Sequence, residues 1–184
     1  MRKAIIIAFM LAGFASLAAA QVPTSGNVYL GYAFYNTDLS SIDRANTNGW
    51  EASLEGKVFP HIGIVVDYNE NYGSQNFPVN LCPGGICPAT FNANFTERNI
   101  LFGPRVSARV GKIRPFAEVL VGLGHVNANA AGSDTSFATA IGGGVDYSLI
   151  RLVSWRLQGD YVATRFFGTT QNNVRISTGI AVHF

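Results

Sequence analysis

Cys82 and Cys87 stand with four residues between them in the segment Cys82-Pro83-Gly84-Gly85-Ile86-Cys87. A Pro-Gly-Gly turn can bring the two sulfurs together, so a local disulfide is expected if the segment is exported to an oxidising compartment. Two soft ligands make a poor metal site, because neither His61, on a short turn, nor His183 is expected nearby. A redox role would need an exposed thiol of low pKa, and nothing in the sequence points to one. His125 is followed by Ser133, Asp134 and Ser136, the residue types of a hydrolytic constellation. The preferred reading is a polar rim histidine beside a Ser/Asn/Gly loop, and no catalytic residue is assigned. A larger set consists of Glu51, Glu55, Glu97, Arg105, Glu118, Asp146, Arg156, Asp160 and Arg175, joined by Asp67. These residues are spread along the chain, each set among apolar neighbours, and could not be buried singly. They predict an ion-paired network in which Arg105, Arg156 and Arg175 offset Glu51, Glu55, Glu97, Glu118 and Asp146.

The elements that must position them alternate in polarity with period two, the signature of strands. Val28, Leu30, Tyr32 and Phe34 form one apolar series within 26–35. Trp50, Ala52, Leu54, Gly56 and Val58 oppose Glu51, Ser53, Glu55 and Lys57. After a tight turn at Phe59, Pro60 and His61, the series Ile62, Ile64, Val66 and Tyr68 follows. Further strands are expected over about 95–106, 114–125, 137–149, 153–164 and 173–184, eight in all. Pro104 removes a ladder donor, so irregularity is expected there. Gly142, Gly143 and Gly144 suit a sharply curved, narrow barrel, where they relieve crowding.

The connections alternate in length. Residues 38–48, 71–94, 126–136 and 165–172 read as long loops, the second the longest and rich in Asn, Pro and Gly, whereas 59–61, 107–112 and 150–152 are short. Short periplasmic turns and long external loops would give that alternation, with both mature termini periplasmic.

The first residues carry the export signal. Arg2 and Lys3 precede an apolar stretch from Ala4 to Leu17 that ends in Ala18, Ala19 and Ala20. This is the three-part pattern of a cleaved signal peptide over 1–20, and it is shorter than the roughly 20 apolar residues of a membrane helix. What remains, 21–184, is expected to be one domain. Losing Arg2 and Lys3 from 13 basic residues leaves as many as the 11 acidic ones, so the formal charge of +2 falls to zero. No basic bias is left to suggest nucleic acid as a partner.

A soluble barrel would also alternate, with its charges solvated outside. The aromatics favour a membrane: Tyr32, Phe34, Trp50, Phe59, Tyr68, Phe102, Tyr147, Trp155, Tyr161 and Phe184 lie on the apolar series, many near strand ends where girdles meet lipid headgroups. The fold expected is all-β, an eight-stranded antiparallel transmembrane barrel with up-and-down connections. Apolar faces meet lipid and the charged faces point inward.

The signal segment, Gly31 and Tyr32, the run Arg114-Pro115-Phe116-Ala117-Glu118, the segment Gly142 to Tyr147 and the final Phe184 together resemble the outer-membrane barrel family that includes the transmembrane domain of OmpA-like proteins. The resemblance covers the mature chain. It implies that Val182 and Phe184 form the signal read by the barrel assembly machinery. It also implies outer-membrane lipid and lipopolysaccharide as surroundings, a monomer, and no soluble cofactor. Since the chain ends at the barrel, no peptidoglycan-binding domain is expected. An eight-stranded interior is filled by side chains or one small ligand, so a structural, envelope-integrity or surface-interaction role without enzymatic activity is the leading reading. A narrow or gated channel, a ligand-binding or adhesion module built on the external loops, with its ligand unknown, and a lipid A modifying enzyme are the alternatives.

Overall fold

A computed structural model of the chain describes residues 25–37, 45–79, 89–129 and 132–184. The strands are β1 (Gly26–Thr37), β2 (Ala45–Phe59), β3 (Ile62–Val79), β4 (Ala89–Ser107), β5 (Ile113–Ala128), β6 (Gly132–Ser148), β7 (Val153–Thr164) and β8 (Gln171–His183). Each pairs antiparallel with its neighbours in sequence, and β1 pairs with β8, so the sheet closes into an eight-stranded up-and-down barrel. The closing ladder runs from Asn27 opposite His183 to Asn36 opposite Val174. Closure leaves no open edge around the wall, the condition for a sheet to sit in hydrocarbon.

The period-two pattern explains which side chains go where. On β1, Val28, Leu30, Tyr32 and Phe34 are exposed on the outer wall, while Asn27, Tyr29, Ala33 and Tyr35 are buried inside. The same parity turns Leu54, Ile64, Ile100, Phe102, Leu123, Ile141, Leu157 and Ile176 outward. Polar tips on this wall find partners within the sheet: the Trp155 indole donates to Thr178 Oγ1 at 2.9 Å and the Tyr32 hydroxyl to Asn48 Oδ1 at 2.7 Å.

Several boundaries differ from the pattern-based expectation. The segment 71–94 is not one long irregular loop: β3 continues to Val79 and β4 begins at Ala89, paired from Asn71 opposite Glu97 to Val79 opposite Ala89. Asn and Gly disfavour strands intrinsically, but a ladder already started by Ile62–Tyr68 carries the pairing through them. β2 likewise begins at Ala45, and β5 and β6 reach Ala128 and Gly132, inside segments expected to be loop. The connection after β7 contains a 3-10 helix, Phe166–Gly168, whose Phe166 is buried. β2 stops pairing with β3 at Tyr72, and β5 stops pairing with β4 at Phe95. Residues 73–79 and 89–94 therefore form a two-stranded arm beyond the barrel wall.

Pro104 does interrupt a ladder. β4 pairs with β5 at Phe102 opposite Val121 and resumes at Arg105 opposite Glu118, while Pro104 keeps its place against Ile64 of β3. The glycines of β6 leave no room for a Cβ: one on Gly144 would meet the Leu157 carbonyl and lie 2.8 Å from Phe116 Cζ, one on Gly143 would meet the Phe116 carbonyl, and one on Gly142 the Asp160 carboxylate. At the short-turn end Pro60 and His61 form the tight turn between β2 and β3, and Gly111 takes a left-handed φ of 62° in the next turn.

Candidate functional site in the barrel interior

Inward parity on all eight strands converges on a charged lumen. Arg175 of β8 lies 2.7 Å from Asp67 of β3, 2.7 Å from Asp160 of β7 and 3.5 Å from Glu51 of β2. The Gln158 amide nitrogen reaches Glu51 at 3.3 Å, Glu118 at 2.9 Å and Asp160 at 2.9 Å. Glu118 accepts from Arg105 at 2.6 Å, and Arg105 also approaches Glu55 at 3.4 Å. Glu55 binds Arg114 at 2.8 Å and the Asn27 amide at 2.6 Å, and Asn27 in turn accepts from Arg156, which grips Asp146 at 2.6 and 2.9 Å. One connected chain of ion pairs and hydrogen bonds thus runs from Arg175 to the short-turn end. Arg105, Arg156 and Arg175 are wholly buried, and a buried guanidinium is tolerated only when its charge is paired this way; among the described residues Arg156 Nη1 alone of their nitrogens meets neither a hydrogen-bond acceptor nor a carboxylate.

Rings fill the space between the charges. The Phe116 ring lies between two guanidinium carbons, 4.3 Å from that of Arg105 and 4.8 Å from that of Arg156, and Arg156 also stacks 4.9 Å from Tyr29. Such contacts add cation–π attraction to packing. Val65, Leu101, Leu120, Ala138, Ala140 and Val162 form an apolar patch with Ala33 and Tyr35, all buried in the lumen. Nearer the long-loop end, Asn69 accepts from the Tyr35 hydroxyl at 2.8 Å and from Asn99 at 3.0 Å. Phe166 packs close above, so that a Cβ on Gly124 would lie 2.9 Å from its Cζ.

All nine residues of the expected network are buried. Glu97 differs from the others in its partner, meeting Asn99 at 3.0 Å instead of an arginine. Sequence reading missed Arg114, Gln158 and Asn27 as members. Strand parity would have found Arg114, which is in phase with Phe116 and Glu118, and Gln158, in phase with Arg156 and Asp160. The Asn27 link across 129 positions to Arg156 has no local signal.

His125 is not assembled with Ser133, Asp134 or Ser136. It faces the outer wall opposite Thr135 and lies 2.8 Å from the Thr135 hydroxyl, while Asp134 and Ser136 have the inward parity. The Ser136 hydroxyl accepts from the Arg165 amide at 3.2 Å. Among the described residues no group of three or more His, Cys, Asp or Glu could hold a metal ion. Cys82 and Cys87 lie outside the described residues.

A closed eight-strand meander with charged interior and apolar exterior is the geometry of outer-membrane barrels. Solved structures agree. The barrel is similar to Neisserial surface protein A, with a TM-score of 0.68 at 17% identity over 86% of this chain and 97% of that one. It is also similar to Ail, the attachment invasion locus protein of Yersinia pestis, with a TM-score of 0.59 at 14% identity over 87% of this chain and 98% of that one. A third likeness is to the N-terminal β-barrel domain of Pseudomonas aeruginosa OprF, with a TM-score of 0.50 at 15% identity over 86% and 99%. No family model matches the chain, and no curated protein matches its sequence. At these identities the likeness establishes the fold, an eight-stranded barrel resembling outer-membrane barrel proteins.

Proposed function

We propose that residues 1–20 are a signal peptide and that the mature chain is a monomeric, non-enzymatic outer-membrane barrel with a sealed interior. Its role is structural or surface-interacting, not that of a pore. The observation that carries this reading is the unbroken network from Arg175 to Arg114, closed toward the long-loop end by the buried ring of Phe166. A permeating ion would have to separate ion pairs at 2.6–2.8 Å that hydrate poorly inside a narrow wall.

In this reading the short-turn end, with both mature termini, is periplasmic, and the long connections face outward among lipopolysaccharide. Val182 and Phe184 serve as the signal for the assembly machinery, and Cys82 and Cys87 form a disulfide in the segment between Val79 and Ala89. The kinship to OmpA-like transmembrane domains rests on the motifs quoted above. Single-channel conductance in a planar bilayer tests the sealed interior, once a heat-dependent gel shift has verified the folded barrel. The expected result is a quiet membrane; discrete, reproducible openings would make the protein a channel.

A specific observation favours surface interaction over a purely mechanical role. Among the described residues, the arm formed by 73–79 and 89–93 carries backbone edges that pair with neither β2 nor β5, the arrangement that accepts an added strand. The likeness to a barrel named the attachment invasion locus protein supports this reading. Exchanging residues 71–94 while the barrel is retained should abolish binding of cells to host surfaces; unchanged binding would exclude the arm.

A further inference from the structure

The three tight turns at the short-turn end surround a cavity of about 270 Å³ whose wall carries Lys57, Arg109, Arg114 and Arg151. Among the described residues no Asp or Glu lines it. This differs sharply from the lumen just above, where carboxylates outnumber guanidiniums. Glu55, the acid that Arg114 binds, is also taken by Arg105 and Asn27. The Phe184 main-chain oxygen accepts from the Gly26 amide at 2.9 Å.

The hydrogen-bond directions make the cup a set of donors. Arg114 Nη1 lies 3.3 Å from His183 Nδ1, and a guanidinium can only donate. His183 Nδ1 therefore accepts, the ring proton sits on Nε2, and that proton is given to Ser154 Oγ at 2.9 Å. Ser154, accepting from His183, keeps its own O–H to donate. Lys57 Nζ likewise donates to Ser107 Oγ at 3.3 Å, and Arg109 Nη2 to Ser148 Oγ at 3.1 Å. Both serines are left with a free O–H. Arg114, only 9% exposed, has an Nε proton with no partner among the described residues.

Three cations without an ion pair among the described residues, Lys57, Arg109 and Arg151, with the Arg114 Nε proton and three available hydroxyl protons around one cavity, call for a ligand with several anionic oxygens. A monocarboxylate offers two oxygens and one charge. A phosphate group offers three or more oxygens, and both the guanidinium fork and the lysine point charge are suited to it. We propose that this mouth is a binding site for phosphate groups, either of a free phosphorylated anion or of a phospholipid headgroup. Its placement in the periplasm rests on the orientation proposed above; the binding chemistry does not.

The test uses the protein purified from membranes in an amine-oxide detergent, which carries no phosphate. Calorimetric titration with inorganic pyrophosphate is compared with acetate, for the wild type and for the pair Arg109→Gln and Arg151→Gln. Both arginines are exposed on turns, so the barrel should keep its heat-dependent gel shift. Saturable pyrophosphate binding, absent for acetate and weakened about tenfold by each substitution, is expected, about the loss of one charge-assisted hydrogen bond. In nanodiscs, binding of labelled phosphatidylglycerol that pyrophosphate displaces, and that the paired variant loses, identifies the headgroup as the source. Pyrophosphate binding without such displacement identifies a soluble anion. Failure of both probes to bind the wild type, or equal binding by wild type and variant, overturns the site. Because the detergent measurement is indifferent to membrane orientation, an inverted barrel would refute the proposed topology while leaving this result standing.

Discussion

Replacing Arg175 by methionine keeps most of the side-chain volume and removes the charge on which three carboxylates converge. Asp67 and Asp160 at 2.7 Å and Glu51 at 3.5 Å would be left in a closed lumen without their shared cation. Breaking a buried ion pair by removing one partner costs about 3–5 kcal/mol, because the remaining charge stays desolvated. Three stranded acids place Arg175→Met at the upper part of that range. The assay is urea unfolding of the barrel in lipid vesicles, followed by tryptophan fluorescence and by the heat-dependent gel shift. A loss below about 1 kcal/mol would refute the reasoning, since that is the scale of a solvated surface pair. The cause can be separated from mere packing. If stranded carboxylates carry the cost, adding Asp67→Asn and Asp160→Asn to Arg175→Met should recover part of the stability; further loss would assign the cost to packing.

Gly144→Val drives a side chain into the Leu157 carbonyl and against the Phe116 ring that sits between Arg105 and Arg156, and should cost about 3 kcal/mol, the upper part of the overpacking range, in the same unfolding assay. Phe166→Ala should lose about 3–5 kcal/mol for a buried phenylalanine, yet remain silent in bilayer recordings because the Arg175 cluster still closes the lumen. Mass-tag labelling of unreduced protein should find no free thiol at Cys82 and Cys87, and two after reduction; two free thiols before reduction exclude the disulfide. Phe184→Ala should reduce the folded fraction in cells while leaving the refolded barrel's unfolding midpoint unchanged; a normal folded fraction in cells would remove Phe184 from the assembly signal.

The wall of the barrel was legible because a two-sided strand writes its environment into every second residue. Leu30, Leu54, Ile64, Ile100 and Leu123 read as one face without knowledge of any partner. Strand ends were less legible: 71–79 and 89–94 are strands because of what lies opposite them, and pairing leaves no mark in Asn-rich sequence. Inward parity announced Glu51 and Arg175 as sharing the interior, but not which acid each arginine would meet. That choice is set by register: Arg105 stands opposite Glu118, Arg156 opposite Asp146 and Arg175 opposite Asp160 on adjacent strands, while Asp67 reaches Arg175 from across the lumen. Glu97 has the right parity and the wrong height, so it meets Asn99. The hydrolytic grouping failed for a related reason: neighbours in sequence fall on opposite faces of β6, leaving His125 outside and Asp134 with inward parity.

Charge is segregated along the barrel axis, and this bears on the channel alternative independently of packing. Inside the lumen seven buried carboxylates, Glu51, Glu55, Asp67, Glu97, Glu118, Asp146 and Asp160, face four guanidiniums, those of Arg105, Arg114, Arg156 and Arg175. At the short-turn mouth Lys57, Arg109 and Arg151 join Arg114 around a cavity without an Asp or Glu among its described lining residues. A lumen with excess carboxylate selects cations, whereas a mouth ringed by cations repels them, and over a few ångströms at low dielectric neither field is screened. A conduit gains from matching selectivity at its entrance and its constriction, and this barrel opposes them. The opposition is instead what a closed interior with a separate anion-binding rim requires. Arg114 joins the two, giving one edge of its guanidinium to Glu55 inside and the other to His183 at the mouth.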